Sequence, residues 1–237
     1  MAQSKTLGYF WNEAWSLYTK NFKNTALLSI FLSVPTAILM LFMPVSKSAS
    51  EQFRNDAGFF IVFLIVTLVF SIFLCTALTY LLYQAKMGKK INFLDAIKYA
   101  FPKFFPVLGT SLLTAILLVL LYILLIIPGI IFTVFWAFVL PAIIIKNVYG
   151  KKALDYSKSV VKGRWWKALG YGIVFALPVI IVAIILSAML SALGTVGNFI
   201  YYLVQSTVFA FIYAAQILVF MEWDKDKMAS PAKPKKK

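Results

Sequence analysis

The chain has 237 residues, of which 62% are hydrophobic and 13% are charged, and its formal net charge is +15. Soluble domains average about 45–50% apolar and about 25% charged residues, so this composition excludes a soluble globular protein and predicts long apolar helices in a membrane. The chain has one cysteine, Cys75, and no histidine, which excludes an intrachain disulfide and a Cys/His metal site.

Six apolar runs without charged side chains predict six transmembrane helices, because a helix needs roughly 20 mostly apolar residues to cross a bilayer. The runs lie at about residues 25–43, 59–83, 104–127, 130–145, 168–193 and 199–221. Only Pro128 and Gly129 separate the third run from the fourth, and this pair is typical of a tight turn. The expected fold is therefore an all-α, polytopic integral membrane domain over residues 1–224.

The basic residues fall almost entirely on one side of these six helices. Of the 23 Lys and Arg residues, only Lys47 and Arg54 lie in loops on the opposite side, where Glu51 and Asp56 offset their charge. Since cytoplasmic loops hold the excess of Lys and Arg, both termini are expected in the cytoplasm, with the spans arranged as three hairpins. Residues 225–237 are rich in Pro and Lys, and we expect them to form a disordered, basic cytoplasmic tail.

A short amphipathic segment precedes the first, third and fifth predicted spans. Its apolar residues recur every three or four positions, which predicts a helix lying in the cytoplasmic interface of the membrane. Asn92, followed three residues later by Asp95, is typical of a helix N-cap and its box partner. The segments share an early acid, a later Lys and then an aromatic residue: Glu13, Lys20 and Phe22; Asp95, Lys103 and Phe104; Asp155, Lys162 and Trp165. Either a threefold internal repeat or independent interfacial anchoring would produce this pattern.

Small residues recur every fourth position in four of the predicted spans. Lipid chains are as apolar as Leu side chains, so transmembrane helices associate where small residues permit close approach of their backbones. The residues expected to pack against neighbouring helices include Ser29, Ser33, Ser71, Cys75, Ala183, Ser187, Ser191, Ser206, Ala210 and Ala214. On this interpretation Leu at Ser187 or Ala210 disturbs assembly more than Leu at Ile184 or Phe211. The alternative is that the small residues line a pore.

The six predicted spans contain no Asp, Glu, Lys, Arg or His. Membrane enzymes, pumps and coupled transporters usually place such ionisable residues at membrane depth. The sequence therefore predicts no catalytic residue, no metal ligand and no cofactor, and we expect the protein not to be an enzyme. Gln205 and Gln216 are the strongest polar groups of the sixth span, and hydrogen bonds between helices explain them.

Basic and aromatic residues are interleaved directly before the fifth predicted span. Lys and Arg each gain about 1 kcal/mol near an anionic leaflet, and Trp settles at headgroup depth. The sequence therefore predicts a contact with lipid headgroups formed by Lys162, Arg164, Trp165, Trp166 and Lys167. Anchoring without lipid selectivity is the alternative. Membrane lipids, above all anionic ones, are the expected partners, a protein partner or a homo-oligomer stays open, and nucleic acid is not expected.

The second half of the chain carries a set of short motifs: Ile127-Pro128-Gly129, Pro141, Gly150, Ala153-Leu154, Ser157, Ser159, Val161, Lys162-Gly163-Arg164-Trp165-Trp166 and Leu169-Gly170. With these motifs the chain resembles a bacterial family of six-span membrane proteins. That family includes the membrane domain attached to some glycerophosphodiester phosphodiesterases and the related YciC-like proteins. The resemblance implies a helical domain in a bacterial cell membrane. The catalytic barrel of the phosphodiesterases has no counterpart here, so no catalytic residue is implied.

Two functions are compatible with the sequence. The first is a non-catalytic membrane protein that organises anionic lipids or a partner protein through a basic, aromatic cytoplasmic face. The second is a passive channel, or a carrier for a lipid or a small solute. Anionic lipid or a partner protein that stays bound after gentle extraction would favour the first function, and flux across proteoliposomes would favour the second.

Overall fold

The computed structural model describes residues 5–42 and 57–229, so Lys47, Arg54 and residues 230–237 lie outside the described residues. Within the described ranges the chain is helical and contains no strand, which confirms the predicted all-α class. The helices are α1 (Leu7–Lys20), α2 (Phe22–Leu41), α3 (Ala57–Lys86), α4 (Phe93–Leu124), α5 (Ile126–Phe135), α6 (Val139–Lys146), α7 (Lys151–Val161), α8 (Trp165–Ser191) and α9 (Gly194–Ala229).

Six helical stretches of the described chain are long and apolar enough to cross a membrane, as the sequence predicted. They are α2, α3, α4, α5 together with α6, α8 and α9. The longest helix, α9, contains 36 residues. At a rise of about 1.5 Å per residue it is about 54 Å long, well above the roughly 30 Å of a hydrocarbon core. Part of α9 therefore lies outside the hydrocarbon layer.

Helix α9 is the central helix of the bundle, where it packs against α2, α8, α1 and α3. Ala210 and Ala214 are fully buried, as their small size and spacing predicted. Phe211, next to Ala210, is only 5% exposed. A lipid-facing position for Phe211 is therefore wrong, because α1 packs against this residue, and the smaller disturbance expected from Leu at position 211 stays a prediction.

Helix α1 covers the middle of α9 with aromatic side chains. The rings of Trp11, Trp15 and Tyr18 surround the Phe211 ring, with centroid distances of 5.2, 6.0 and 6.1 Å. The Tyr18 hydroxyl donates a hydrogen bond to the carbonyl oxygen of Thr207 over 3.1 Å. The apolar face of this first amphipathic segment thus packs on protein through the buried residues Phe10, Ala14, Leu17 and Tyr18, whereas Trp15 at its edge is 55% exposed.

Helix α4 begins where the second amphipathic segment was predicted. The Asn92 side chain accepts a hydrogen bond from the backbone N–H of Asp95 over 2.9 Å, and the Asp95 carboxylate accepts one from the N–H of Asn92, which confirms the predicted capping box. From there α4 runs unbroken to Leu124, with Pro102 and Pro106 inside it. The second segment is therefore the start of the long helix, whereas α1 and α7 are helices of their own.

The turn predicted at Pro128 and Gly129 is wrong. The chain leaves α4 one turn earlier, at Leu125, whose backbone is extended with φ −158° and ψ 129°. Pro128 lies in the first turn of α5, where a missing N–H costs nothing because the first N–H groups of a helix lack intrahelical partners. Gly129 lies against the Tyr122 ring of α4, and a Cβ there would come within 2.5 Å of that ring.

The fourth candidate span is interrupted between α5 and α6, at residues 136–138. Side chains from other helices bond to the backbone groups that the interruption frees. The Ser157 hydroxyl donates to the carbonyl oxygen of Phe135 over 2.7 Å and accepts from the N–H of Phe138 over 3.1 Å. The Gln216 amide donates to the carbonyl oxygen of Ala137, which is the interhelical bond expected for this residue. Irregular backbone is tolerated inside a membrane protein when other parts of the protein satisfy it.

The disordered tail was predicted to begin too early. Helix α9 continues through Ala229, so residues 225–229 are helical. Trp223 and Asp224 are each 5% exposed. Burial of these side chains against other helices extends α9 beyond the end of its apolar run.

Candidate functional site

A buried carboxylate, that of Asp224, lies near the end of α9. The Lys146 ammonium at the end of α6 lies 2.5 Å from one of its oxygens, and the Tyr156 hydroxyl of α7 donates to the other. Burial, reinforced by the hydrogen bond to Asp224, raises the pKa of Tyr156 well above its ordinary value, so the phenol is a protonated donor at neutral pH. Asp224 therefore joins three helices, and its charge is matched inside the protein.

Two of the five residues predicted to contact lipid headgroups are held by protein partners in this region. Arg164 lies 2.9 Å from the Asp226 carboxylate and 5.6 Å from the centroid of the Trp223 ring. The Trp165 indole N–H donates to the carbonyl oxygen of Ile131 over 3.1 Å. Arg164 and Trp165 thus fasten the start of α8 to α9 and α5.

The other three predicted residues, Lys162, Trp166 and Lys167, are exposed, Trp166 by 78%. Gly163 has φ +83°, a conformation that favours glycine, and it turns the chain from α7 into α8. The Trp166 ring packs edge-on against Trp165, with centroids 4.7 Å apart. This segment, residues 162–167, is here named the α7–α8 corner. It presents one indole between two ammonium groups, an arrangement suited to the headgroup layer of a membrane.

Other acidic side chains around the end of α9 also have basic partners within the protein. Glu222 lies 3.0 Å from Lys5, and Glu13 pairs with Lys86. The hydrogen bond from Lys86 lowers the pKa of Glu13, so this carboxylate stays charged at neutral pH.

By contrast, many lysines of the described residues point outwards. They include Lys20, Lys23, Lys89, Lys90, Lys98, Lys151, Lys152, Lys158, Lys162, Lys167 and Lys225. Positive charge at the surface therefore exceeds negative charge, because these lysines outnumber Asp95 and Asp155, the two described acids outside the ion pairs above.

Most residues predicted to mediate helix packing lie between helices. The fully or almost fully buried ones are Ser29, Ser33, Ala183, Ala210 and Ala214. The Ser33 hydroxyl of α2 donates to that of Ser206 in α9 over 2.9 Å. The Cys75 sulfur of α3 lies 2.7 Å from the Tyr213 hydroxyl of α9. Small polar residues thus link α2 and α3 to the central helix.

Two members of this set, Ser71 and Ser191, are exposed, so the packing predicted for them is wrong. Ser191 lines a groove between α8 and α9 together with Ala183 and Ser187. Small residues at this end of the stripe line an opening instead of a tight contact.

Ser71 lines a cavity of about 250 Å³ between α2, α3 and α9. Its wall combines four apolar side chains, Leu32, Phe70, Leu74 and Phe209, with a larger number that carry a hydroxyl, thiol or amide group, among them Cys75, Gln205 and Ser206. No residue lining this cavity carries a formal charge at neutral pH. The cavity is chemically suited to a neutral or apolar group, not to an ion.

Lys146, Tyr156, Ser157 and Asp224 hold this region together, and sequence patterns did not reveal their role. They belong to α6, α7 and α9, so no local spacing links them. One signal was available: Asp224 is one of only eight acids and follows an apolar run almost directly. An acid at such a position suggests a basic partner, but the sequence does not identify which lysine.

Within the described residues, no group of three or more His, Cys, Asp or Glu side chains could hold a metal ion. The chain matches no protein-family model, no curated protein and no solved structure.

Proposed function

We propose that the chain is a non-catalytic integral membrane protein that binds anionic lipid headgroups at a basic, aromatic cytoplasmic face and so organises the lipids around it. The observation that supports this proposal is the separation of charge. Four of the six acids in the described part of the chain pair with basic residues of the same chain, whereas lysines and Trp166 stay exposed around the α7–α8 corner.

The proposal includes an orientation. An excess of Lys and Arg is typical of cytoplasmic loops, so the end of α9 and the α7–α8 corner face the cytoplasm, as do both termini. Helices α1 and α7 lie at the interface on this side. The resemblance to the six-span bacterial family supports this arrangement, and the proposal includes the cell membrane of a bacterium as the location of the protein.

The expected strength of the contact follows from its two free lysines. Each juxtamembrane Lys gains about 1 kcal/mol near an anionic surface, so Lys162 and Lys167 together contribute about 2 kcal/mol, or roughly 30-fold in affinity. Trp166 fixes the depth of the α7–α8 corner in the membrane, because its indole lies among the headgroups.

Native mass spectrometry of the protein extracted in a mild detergent tests the proposal. We expect phosphatidylglycerol added to the extract to bind more tightly than phosphatidylcholine. The triple variant Lys162→Ala/Trp166→Ala/Lys167→Ala should lose roughly 30-fold of that preference. The matched control is Met87→Ala/Lys89→Ala/Lys90→Ala, which removes two exposed lysines and one exposed apolar residue from the loop between α3 and α4.

If both variants lose the same preference for phosphatidylglycerol, the lipid is attracted by the overall positive charge and not by a site at the α7–α8 corner. A parent chain without any preference for the anionic lipid would refute the proposal. The same spectra report the competing partners. A second copy of the chain, or another protein, that stays bound in place of lipid would show that the face serves protein assembly.

A second candidate function is supported by the cavity of about 250 Å³ between α2, α3 and α9. A carrier for a neutral solute or for a lipid needs such a space within the membrane. Flux across proteoliposomes separates the two candidates. Transport that is lost when Ser71→Leu fills the cavity, and retained in the triple variant of the corner, would favour the carrier.

A further inference from the structure

The connection between α4 and α5 is apolar throughout. Five successive aliphatic residues, Ile123 to Ile127, are each between 66% and 76% exposed. No polar side chain occurs between Tyr122 and Thr133. The end of the bundle where α8 meets α9 differs, because the exposed polar residues Ser191, Thr195 and Asn198 flank the two-residue connection between these helices. Five exposed aliphatic side chains are unfavourable in a turn that emerges into water and favourable in a turn that lies inside lipid.

A hydrogen bond shows at which end of the bundle this connection lies. The Trp165 indole N–H at the first residue of α8 donates to the carbonyl oxygen of Ile131 over 3.1 Å. Ile131 is six residues from Leu125, about 9 Å along α5, whereas Ser191 at the far end of α8 is about 39 Å from Trp165. Even with the length of the indole added, the distance from Trp165 to the α4–α5 connection is shorter than a hydrocarbon core of roughly 30 Å. The connection therefore lies at the Trp165 end of the bundle and not at the Ser191 end.

The position of α7 leads to the same conclusion. At its start the Gly150 N–H donates to the Thr110 hydroxyl of α4 over 2.8 Å. Near its end the Lys158 ammonium lies 5.0 Å from the Phe132 ring of α5. Next to Phe132, the Thr133 hydroxyl lies 3.0 Å from the Tyr122 hydroxyl of α4. Helix α7 spans about 16 Å and the part of α4 from Thr110 to Tyr122 about 18 Å, so α7 lies near α4 at both of its ends and the two run side by side.

Helix α7 cannot cross the membrane, since it carries the exposed residues Lys151, Lys152, Asp155 and Lys158. A charged side chain at the centre of a bilayer costs about 2.5–3.5 kcal/mol even on the most lenient scale. Helices that run beside α7 and share its level are therefore held near the same interface.

We propose that α4 and α5 do not cross the bilayer and instead form a hydrophobic hairpin whose tip, Ile123 to Ile127, is embedded in the acyl chains of the cytoplasmic leaflet. The chain then crosses the membrane four times, through α2, α3, α8 and α9. Four crossings, like six, are an even number, so the distribution of Lys and Arg is explained equally well. The inference uses the orientation proposed above and does not depend on headgroup binding.

Thiol accessibility in intact cells gives the first test. Leu125→Cys is compared with Thr195→Cys, an exposed position in the first turn of α9 beside the α8–α9 connection, and the parent chain with only Cys75 sets the background. A membrane-impermeant maleimide should label Thr195→Cys from outside and leave Leu125→Cys at background. Labelling of both variants to the same extent would place the α4–α5 connection at the outer surface and overturn the inference.

The second test shows which leaflet surrounds the hairpin tip and whether lipid or a second copy of the chain covers it. Bimane attached to Leu125→Cys is measured in asymmetric vesicles whose brominated lipids are confined to one leaflet. Quenching by the leaflet on the cytoplasmic side, located by a bimane at Lys162→Cys, supports the inference. Quenching from the opposite leaflet refutes it. Protection from both leaflets, together with disulfide crosslinking of Leu125→Cys between two copies, refutes it in favour of a dimer contact.

Discussion

The Lys146 ammonium lies 2.5 Å from the Asp224 carboxylate and fastens the end of α6 to the end of α9. The Asp224 side chain is 7% exposed and that of Lys146 is 23% exposed, so the pair is largely withdrawn from water. Such a pair adds little net stability compared with a well-packed apolar pair, but removal of one partner leaves a buried charge without compensation.

Lys146→Met should therefore lower the free energy of unfolding by about 3 kcal/mol. The matched control is Lys86→Met, which breaks the pair with Glu13. The Glu13 side chain is 35% exposed, so water solvates the carboxylate that is left behind, and the loss should stay below about 1 kcal/mol. Denaturant unfolding in detergent micelles measures both values, and equal losses would contradict the burial of Asp224.

Tyr156 should make stability depend on alkaline pH. Its folded pKa is raised above the unfolded value near 10 by burial and by Asp224, so its contribution is complete below pH 10 and is lost as the pH rises above 10. Tyr156→Phe should cost about 1–2 kcal/mol at pH 8, because Asp224 loses a donor. The difference in Tm between wild type and variant should shrink between pH 8 and pH 11. A difference that stays constant over this range would show that the phenol has an ordinary pKa.

Much of the fold could be predicted because the signals are local. The length of each apolar run fixes the candidate spans, and the Asn92–Asp95 spacing fixes the start of α4. The interruption at residues 136–138 could not be predicted, because the groups that satisfy it belong to distant Ser157 and Gln216. Periodicity along one helix cannot show which partner a residue meets.

The same limit applies to the candidate site. Exposure of Lys162, Trp166 and Lys167 agrees with an interface position that charge and aromaticity alone predicted. The protein partners of Arg164 and Trp165, which are Asp226 and Ile131, come from α9 and α5 and have no counterpart in the local sequence. Composition thus identified the face, and only tertiary contacts separate its anchoring residues from its free ones.

Ser157 should be critical for the interruption between α5 and α6. Its hydroxyl bonds to both Phe135 and Phe138, so Ser157→Ala leaves a buried N–H and a carbonyl oxygen without that partner. We expect a loss of about 1–3 kcal/mol in the free energy of unfolding. Ser191→Ala is the control, because Ser191 is exposed and bonds only within its own helix, and it should change stability by less than about 0.5 kcal/mol. Similar values for the two variants would mean that another group satisfies the interruption.

Substitutions that add or remove side-chain volume at the centre of α9 should destabilise the protein. Ala210 is fully buried, so Ala210→Leu should cost about 1–3 kcal/mol or prevent assembly, whereas Ile184→Leu at a 63% exposed position should be neutral. Phe211 is buried, although its spacing predicted a lipid-facing side chain. Because the rings of α1 surround it, Phe211→Ala should leave a cavity and cost about 3–5 kcal/mol in the free energy of unfolding. Thermal unfolding in micelles measures all three variants. A neutral Phe211→Ala, with Ala210→Leu still destabilising, would show that α1 does not rest on α9.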